Sequence, residues 1–158
     1  MSEADEKVII RRASPDEARL LSDLALRSKA HWGYTEEFLE ACRAELTLSY
    51  EYIASSPVFV LEEEGEKLVG FYGLRQGQEE GEAELLYLFL EPSAINRGYG
   101  KLLWGHLVET ASRLGFRRIL IESDPFAEAF YQAMGARRVG TVASTVSPDR
   151  RLPLLHFP

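Results

Sequence analysis

The chain reads as a mixed α/β fold, a sheet of parallel and antiparallel strands covered by helices, and three observations predict it. Apolar runs in the first half are joined by short polar turns, the signature of antiparallel hairpins. In the second half such runs alternate with amphipathic stretches, the signature of strand-helix-strand crossovers. The length, 158 residues without an internal repeat or a linker, suits one domain over residues 1–158, with a core of about 7–157. Hydrophobic residues at 46% and charged residues at 27% are ordinary globular values.

Lys7 to Ala13 reads as the first strand, through Val8, Ile9 and Ile10. Ser14-Pro15-Asp16-Glu17 is a helix start, with a capping serine, proline in the first turn and acids after it. Leu20, Leu21, Leu24 and Ala25 then recur at helical spacing to about Ala30. His31-Trp32-Gly33-Tyr34 interrupts the pattern, and Thr35-Glu36-Glu37 opens a second helix with Phe38, Leu39, Cys42 and Leu46 on its apolar side. Val58 to Glu62 and Leu68 to Leu74 form a hairpin around a charged turn in which Gly65 takes positive φ. After the polar turn Gln76 to Gly81, Glu82 to Leu90 is a strand whose continuous apolar tail suits a position covered on both faces.

A helix stripe of Leu103, Leu107, Ala111 and Leu114 ends at Gly115. Arg118 to Glu122 is a buried strand and Ala127 to Met134 a short helix stopped by Gly135. Val139 to Val146 and Leu152 to Phe157 are the closing strands. The predicted order is β-αα-β-β-β-α-β-α-β-β.

Between the strand ending near Leu90 and the helix that follows lies Glu91-Pro92-Ser93-Ala94-Ile95-Asn96-Arg97-Gly98-Tyr99-Gly100-Lys101. Two glycines one residue apart leave room for close approach, so amides from about Asn96 to Lys101 can face an anion at a helix N-terminus, where the peptide dipoles also favour negative charge. Arg97 and Lys101 add cations of the kind a diphosphate requires. The segment is neither of two better-known phosphate loops. A Walker loop needs glycine at Ile95 and serine or threonine at Leu102. The dinucleotide fingerprint needs glycine at Leu103.

The segment resembles the acetyl-CoA-binding motif of the GCN5-related N-acetyltransferase (GNAT) superfamily. There Gln or Arg, two residues, Gly, one residue and Gly or Ala bridge a strand and a helix. Ile95 stands where Gln or Arg is usual, which removes one side-chain contact and spares the backbone amides. A second stretch, Ser123-Asp124-Pro125-Phe126-Ala127-Glu128-Ala129-Phe130-Tyr131-Gln132-Ala133-Met134-Gly135, resembles the family's later motif, in which an aromatic-Tyr pair on a short helix precedes a glycine. The element order is also the family's, so the resemblance covers nearly all of the chain.

What the resemblance implies is specific. Two central strands, here Leu85 to Leu90 and Arg118 to Ser123, splay apart, and the pantetheine arm of acetyl-CoA lies in the gap like an extra strand. The cosubstrate would be held by Leu88, Phe89, Leu90, Ile95, Asn96, Arg97, Gly98, Tyr99, Gly100, Lys101 and Asp124, with an amide near Leu90 facing the thioester carbonyl. Tyr131 would protonate the departing thiolate. Phe126, Phe130 and Met134, on one helical side, are expected in the core.

The chemistry demands a base as well. An amine with a pKa of about 10.4 is neutral in only about one molecule in a few thousand at pH 7, a deficit of roughly 4.6 kcal/mol. Glu84, and after it Glu82, are the candidates, because alternation puts both on the strand face opposite Leu85, Tyr87 and Phe89. His31, Trp32 and Tyr34 lie where the resemblance places the acceptor site. Trp32 and Tyr34 read equally as a wall for a small substrate or as a plug beneath the helices.

The function expected is acetyl transfer from acetyl-CoA to a primary amine of a small molecule or peptide, by direct attack in a ternary complex. The single cysteine, Cys42, reads as a buried small hydrophobe. The alternatives are a CoA-binding sensor without turnover and a nucleotide-binding domain. A net charge of −7 argues against nucleic acid, and the basic pairs beginning at Arg11, Arg117, Arg137 and Arg150 read as solvated strand ends. No spacing suggests a metal site, and no run is long enough to span a membrane. The expected location is cytoplasmic, and the closing strands offer an edge for a homodimer.

Overall fold

The computed structural model describes residues 8–158. Lys7, the expected first residue of the opening strand, lies outside them, as does the acidic segment before it. The elements are β1 (Val8–Arg12), α1 (Ala18–Ala30), α2 (Glu36–Cys42), α3 (Tyr50–Ser55), β2 (Val58–Glu63), β3 (Lys67–Gln76) and β4 (Glu82–Leu90). Then follow α4 (Tyr99–Arg113), β5 (Arg118–Glu122), α5 (Glu128–Ala133), β6 (Arg137–Ala143) and β7 (Arg151–Phe157). Short 3-10 turns, Pro15–Glu17, Pro92–Ala94 and Pro125–Ala127, lead into α1, toward α4 and into α5. The strands form a seven-stranded sheet of order β1-β2-β3-β4-β5-β7-β6. The β4 and β5 register is parallel, from Glu82 opposite Arg118 to Leu85 opposite Ile121, while β1/β2, β2/β3, β5/β7 and β6/β7 run antiparallel.

Contacts divide the chain into two compact units. One holds residues up to Gly73 together with Tyr87–Leu107, and the other holds Leu74–Leu86 with Val108–Pro158. In the first, Leu21, Leu24 and Ala25 of α1, Val58, Val60 and Leu61 of β2, Val69 and Phe71 of β3, and Leu103 and Leu107 of α4 are buried. Fully burying a leucine of this kind stabilises the fold by roughly 1.5–3 kcal/mol. Cys42 is buried among them, as its apolar neighbours predict. In the second unit, Ile119 and Ile121 of β5 and Leu155 of β7 are buried with Tyr131.

Local signals act where expected. The Thr35 hydroxyl accepts from the Phe38 amide at 3.1 Å and caps α2. The Glu17 carboxylate accepts from the Ser14 amide at 2.8 Å and from Arg11, closing the entry to α1. Gly65 takes φ +90° in the β2/β3 turn, and Glu66 beside it also takes positive φ.

Several expectations are corrected. A third helix, α3, precedes β2; Ser49 caps it by accepting from Tyr52 at 3.0 Å. Leu20 and Leu114 are exposed although both fit a helical stripe. Leu20 faces away from the buried side of α1, and Leu114 follows the last residue of α4. Phe126, in a 3-10 turn and so off the α-helical spacing, is exposed, and Phe130 and Met134 are only half-buried, so none of the three is in the core. The apolar tail of β4 is not covered on both faces: Leu86 to Leu90 are all only half-buried.

The basic pairs are not simply solvated. Arg11 binds Glu17 and Glu62, Arg118 binds Glu79, Arg138 binds Glu128, and Arg150 approaches Asp124.

Candidate active site

The turn between β4 and α4 contains two residues of positive φ. Glu91 donates its amide to the Val69 carbonyl at 2.8 Å, closing the last rung beside β3. The chain then makes a 3-10 turn through Pro92–Ala94. Asn96 takes φ +68° and Gly98 φ +84°. Left-handed residues placed between ordinary ones turn successive N–H groups toward a common centre, a nest suited to an anion. The helix begins bonding when the Leu102 amide reaches the Gly98 carbonyl at 3.3 Å. The amides of Asn96, Arg97, Gly98, Gly100 and Lys101 have no backbone acceptor among the described residues. A Cβ built on Gly98 meets no atom within 4 Å beyond its chain neighbours, so the space beside Gly98 is open.

The two cations of the turn differ. Lys101 is exposed and forms no ion pair among the described residues. Arg97 is committed: its Nη1 and Nη2 donate to Glu63 at 3.4 and 3.1 Å, and Nη2 donates to the Tyr99 phenol oxygen at 2.9 Å. Its guanidinium lies 4.8 Å from the centre of the Tyr99 ring. Tyr99 is wholly buried beneath it. Ile95 is half-buried at the start of the turn.

Upstream of the turn, the half-buried side chains of Leu88, Phe89 and Leu90 continue the strand. Gly70 of β3 lets this segment approach closely. A Cβ there would lie 2.7 Å from the Leu90 side chain and 3.0 Å from the Phe89 carbonyl oxygen. Across the exit of β4, Arg27 of α1 clasps Glu91 through two hydrogen bonds of 2.7 Å. Arg27 holds the Glu91 carboxyl below the ordinary carboxylate range, chiefly through these bonds.

In the other unit, Glu82, Glu84, Leu120, Glu122, Leu154 and His156 share a cleft of ≈ 410 Å³ with Glu79 and Arg118. The Glu84 carboxylate accepts from Arg75 at 2.8 and 3.1 Å and keeps 15% of its side chain exposed. Glu82 is nearly covered, with the Arg118 Nε at 3.4 Å. Both carboxylates therefore stand on one face, as strand alternation predicts, and Glu84 is the more accessible of the two.

Tyr131 of α5 is buried to 7% exposure. Burial first, and the charge of Asp124 second, push its phenol pKa up, so the hydroxyl, protonated at neutral pH as any tyrosine is, stays so further into the alkaline range. Asp124 accepts from the Phe126 amide at 2.9 Å and stands 3.7 Å from Arg150. Arg150, which ends the loop between β6 and β7, was not singled out for this place by the sequence.

The segment after α1 stays on the surface. Gly33 turns it with φ +86°. His31 and Trp32 meet edge to face at 5.3 Å, and Trp32 is 40% exposed, so it is no plug beneath the helices. Tyr34 stacks on Phe38 at 4.6 Å with the Lys29 ammonium above it. Among the described residues no helix is long and apolar enough to cross a membrane.

Comparison with known proteins follows the same lines. The PaiA N-acetyltransferase of Thermoplasma acidophilum, solved with coenzyme A, superposes with a TM-score of 0.76 at 21% identity, over 99% of this chain and 98% of that one. The ribosomal-protein-S18-alanine N-acetyltransferase of Escherichia coli gives 0.68 at 16% identity over 96% and 93%. The N-acetylglutamate synthase of Neisseria gonorrhoeae, solved with coenzyme A and N-acetyl-glutamate, gives 0.66 at 22% identity over 94% of this chain and 34% of that one. Comparison with curated protein sequences returned no match. The model of the acetyltransferase (GNAT) family matches residues 24–136, which include the glycine turn and the whole of the Tyr131 segment. The chain therefore belongs to the acetyltransferase (GNAT) family.

Proposed function

We propose that this protein transfers an acetyl group from acetyl-CoA to a primary amine of a small molecule or peptide, by direct attack without a covalent enzyme intermediate. The observation that carries this reading is the turn at the start of α4, where the amides of Asn96, Arg97, Gly98, Gly100 and Lys101 lack backbone acceptors among the described residues, with open space at Gly98. Such a nest, with the exposed Lys101 beside it, fits a diphosphate by hydrogen-bond geometry and charge together. Leu88, Phe89 and Leu90 offer half-buried apolar surface and a strand backbone for the pantetheine arm. An amide near Leu90 would donate to the thioester carbonyl oxygen as charge develops there. The thioester itself supplies an activated acetyl group with a thiolate leaving group.

Two proton movements remain for the chain's own residues. Glu84, on a solvent-accessible cleft face, would accept the amine proton directly or through water. Tyr131, kept protonated by burial, would return a proton to the departing sulfur. In this reading Arg97 contributes its amide while its side chain is held by Glu63, and Asp124 shapes the entry to α5 and the acidity of Tyr131. His31, Trp32 and Tyr34 are proposed to contact the acceptor, since Trp32 leaves a large ring exposed. The whole chain is proposed to act as one catalytic domain in the cytoplasm, with the β6 and β7 edge as the place for a homodimer.

Titration calorimetry with CoA, followed by thiol release from acetyl-CoA over a panel of amines, tests the assignment. Micromolar CoA binding with amine-dependent release is expected. Binding without release for any amine would favour a CoA sensor, and preference for ATP over CoA would remove the acetyltransferase reading.

A further inference from the structure

We propose that Glu63 is a counter-anion that weakens the glycine turn's hold on its phosphate ligand by competing for Arg97. This rests on the CoA reading of the turn and adds a residue that no part of the glycine motif contains.

Glu63 ends β2, and its carboxylate takes two N–H groups of Arg97, at 3.4 and 3.1 Å. The Tyr99 hydroxyl donates to the same carboxylate at 3.4 Å and accepts from Arg97 at 2.9 Å. The three side chains thus form a closed set with no net charge, backed by the buried Tyr99 ring. Arg97 itself stands between Asn96 and Gly98, the two left-handed residues of the nest. A ligand anion at these amides therefore meets an arginine whose charge Glu63 already neutralises. Lys101, which pairs with no carboxylate among the described residues, is left as the other cation of the turn.

The consequence is a limit on affinity. A CoA-dependent transferase releases a product that carries the same diphosphate as its substrate, so a grip that is too strong slows every turnover. An acid paired to one of the two cations keeps the turn selective through its amides while lowering the electrostatic part of binding. The opposite role is also physically sound: Glu63 could hold Arg97 in a pose that the ligand needs. The two roles differ in sign, and that makes the question decidable.

Calorimetric titration of free CoA into wild type, Glu63→Gln, Arg97→Met and the double variant separates them. Glutamine keeps the shape and an acceptor oxygen for Arg97 and removes the charge. Glu63→Gln is expected to bind CoA about three- to tenfold more tightly at low salt, with the gain shrinking as salt screens it. In the Arg97→Met background the same substitution is expected to give little gain. Unchanged or weaker binding by Glu63→Gln would overturn the proposal, as would an equal gain without Arg97. Wild-type protein that fails to bind CoA would instead remove the reading beneath it.

Discussion

Gly98 separates ligand geometry from protein geometry at the scale of one residue. Its φ of +84° costs any other L-residue strain, yet no protein atom lies within 4 Å of the Cβ it lacks. Gly98→Val should therefore lower stability by only about 1–2 kcal/mol of backbone strain. The same variant should abolish detectable CoA binding in calorimetry, because its branched side chain would occupy the open space over the nest. Unaltered affinity would mean that the amides of this turn do not hold the cosubstrate.

Tyr131 allows a complementary test. Tyr131→Phe removes only the hydroxyl from a buried ring, so the fold and CoA affinity should change little while turnover near pH 7 falls on the order of a hundredfold or more. Burial and the Asp124 charge both disfavour the phenolate, so the wild-type rate should show no loss from Tyr131 ionisation across the ordinary alkaline range. A rate for the variant equal to wild type would place the proton donor elsewhere.

At the scale of elements, what matters is how helices and strands are tied to the turn. Gly70 of β3 admits the tail of β4 at a distance no side chain allows. Gly70→Val must push aside the Phe89 carbonyl as well as the Leu90 and Leu103 side chains. A loss of about 1–3 kcal/mol in denaturant unfolding is expected from such overpacking, together with weaker CoA binding if the Phe89 and Leu90 backbone pairs with the pantetheine arm.

Ion pairs make similar ties. Glu17 and Glu91 have pKa values lowered from 4.5, mainly by hydrogen bonds from Arg11 and Arg27 respectively. A carboxyl whose pKa is lower folded than unfolded contributes stability that is fully present above the unfolded value and is lost as pH falls through the folded one. Thermal melts should thus hold level above about pH 5 and decline below about pH 4. Glu17→Gln should lower the melting temperature by about 2–4 °C at pH 7, for a loss near 1 kcal/mol, and by clearly less at pH 3. An equal loss at both pH values would show that the charge of Glu17 contributes nothing.

On the amine-acceptor reading proposed above, the net charge of −7 on the whole molecule would attract a cationic amine. The kcat/KM for such an amine should fall as salt rises from low ionic strength, while a neutral acceptor should be nearly insensitive. Salt independence for both would show that the net charge of the protein does not act on the acceptor.

At the same scale, sequence and structure can be weighed against each other. The strand order in the chain, the hairpin with Gly65, the Thr35 cap and the glycine turn with its helix are all local, set by backbone preferences and periodicity within a few residues. They are legible for that reason. The six-residue helix α3 was missed, being under two turns long and so leaving no periodic stripe. Leu20, Leu114 and Phe126 fit a stripe and are nevertheless exposed, because periodicity marks which positions share a face and not whether anything covers that face.

By itself, then, the sequence determined the class of fold, the place of the glycine turn and the residue types around it, all through short-range backbone chemistry. Tertiary structure alone decided which charges meet. Glu63 lies 34 residues from Arg97, and Glu91 lies 64 residues from Arg27. No local preference encodes such pairs; they follow from the way β2 and α1 pack beside the turn, and they decide which cations of the turn remain for a ligand.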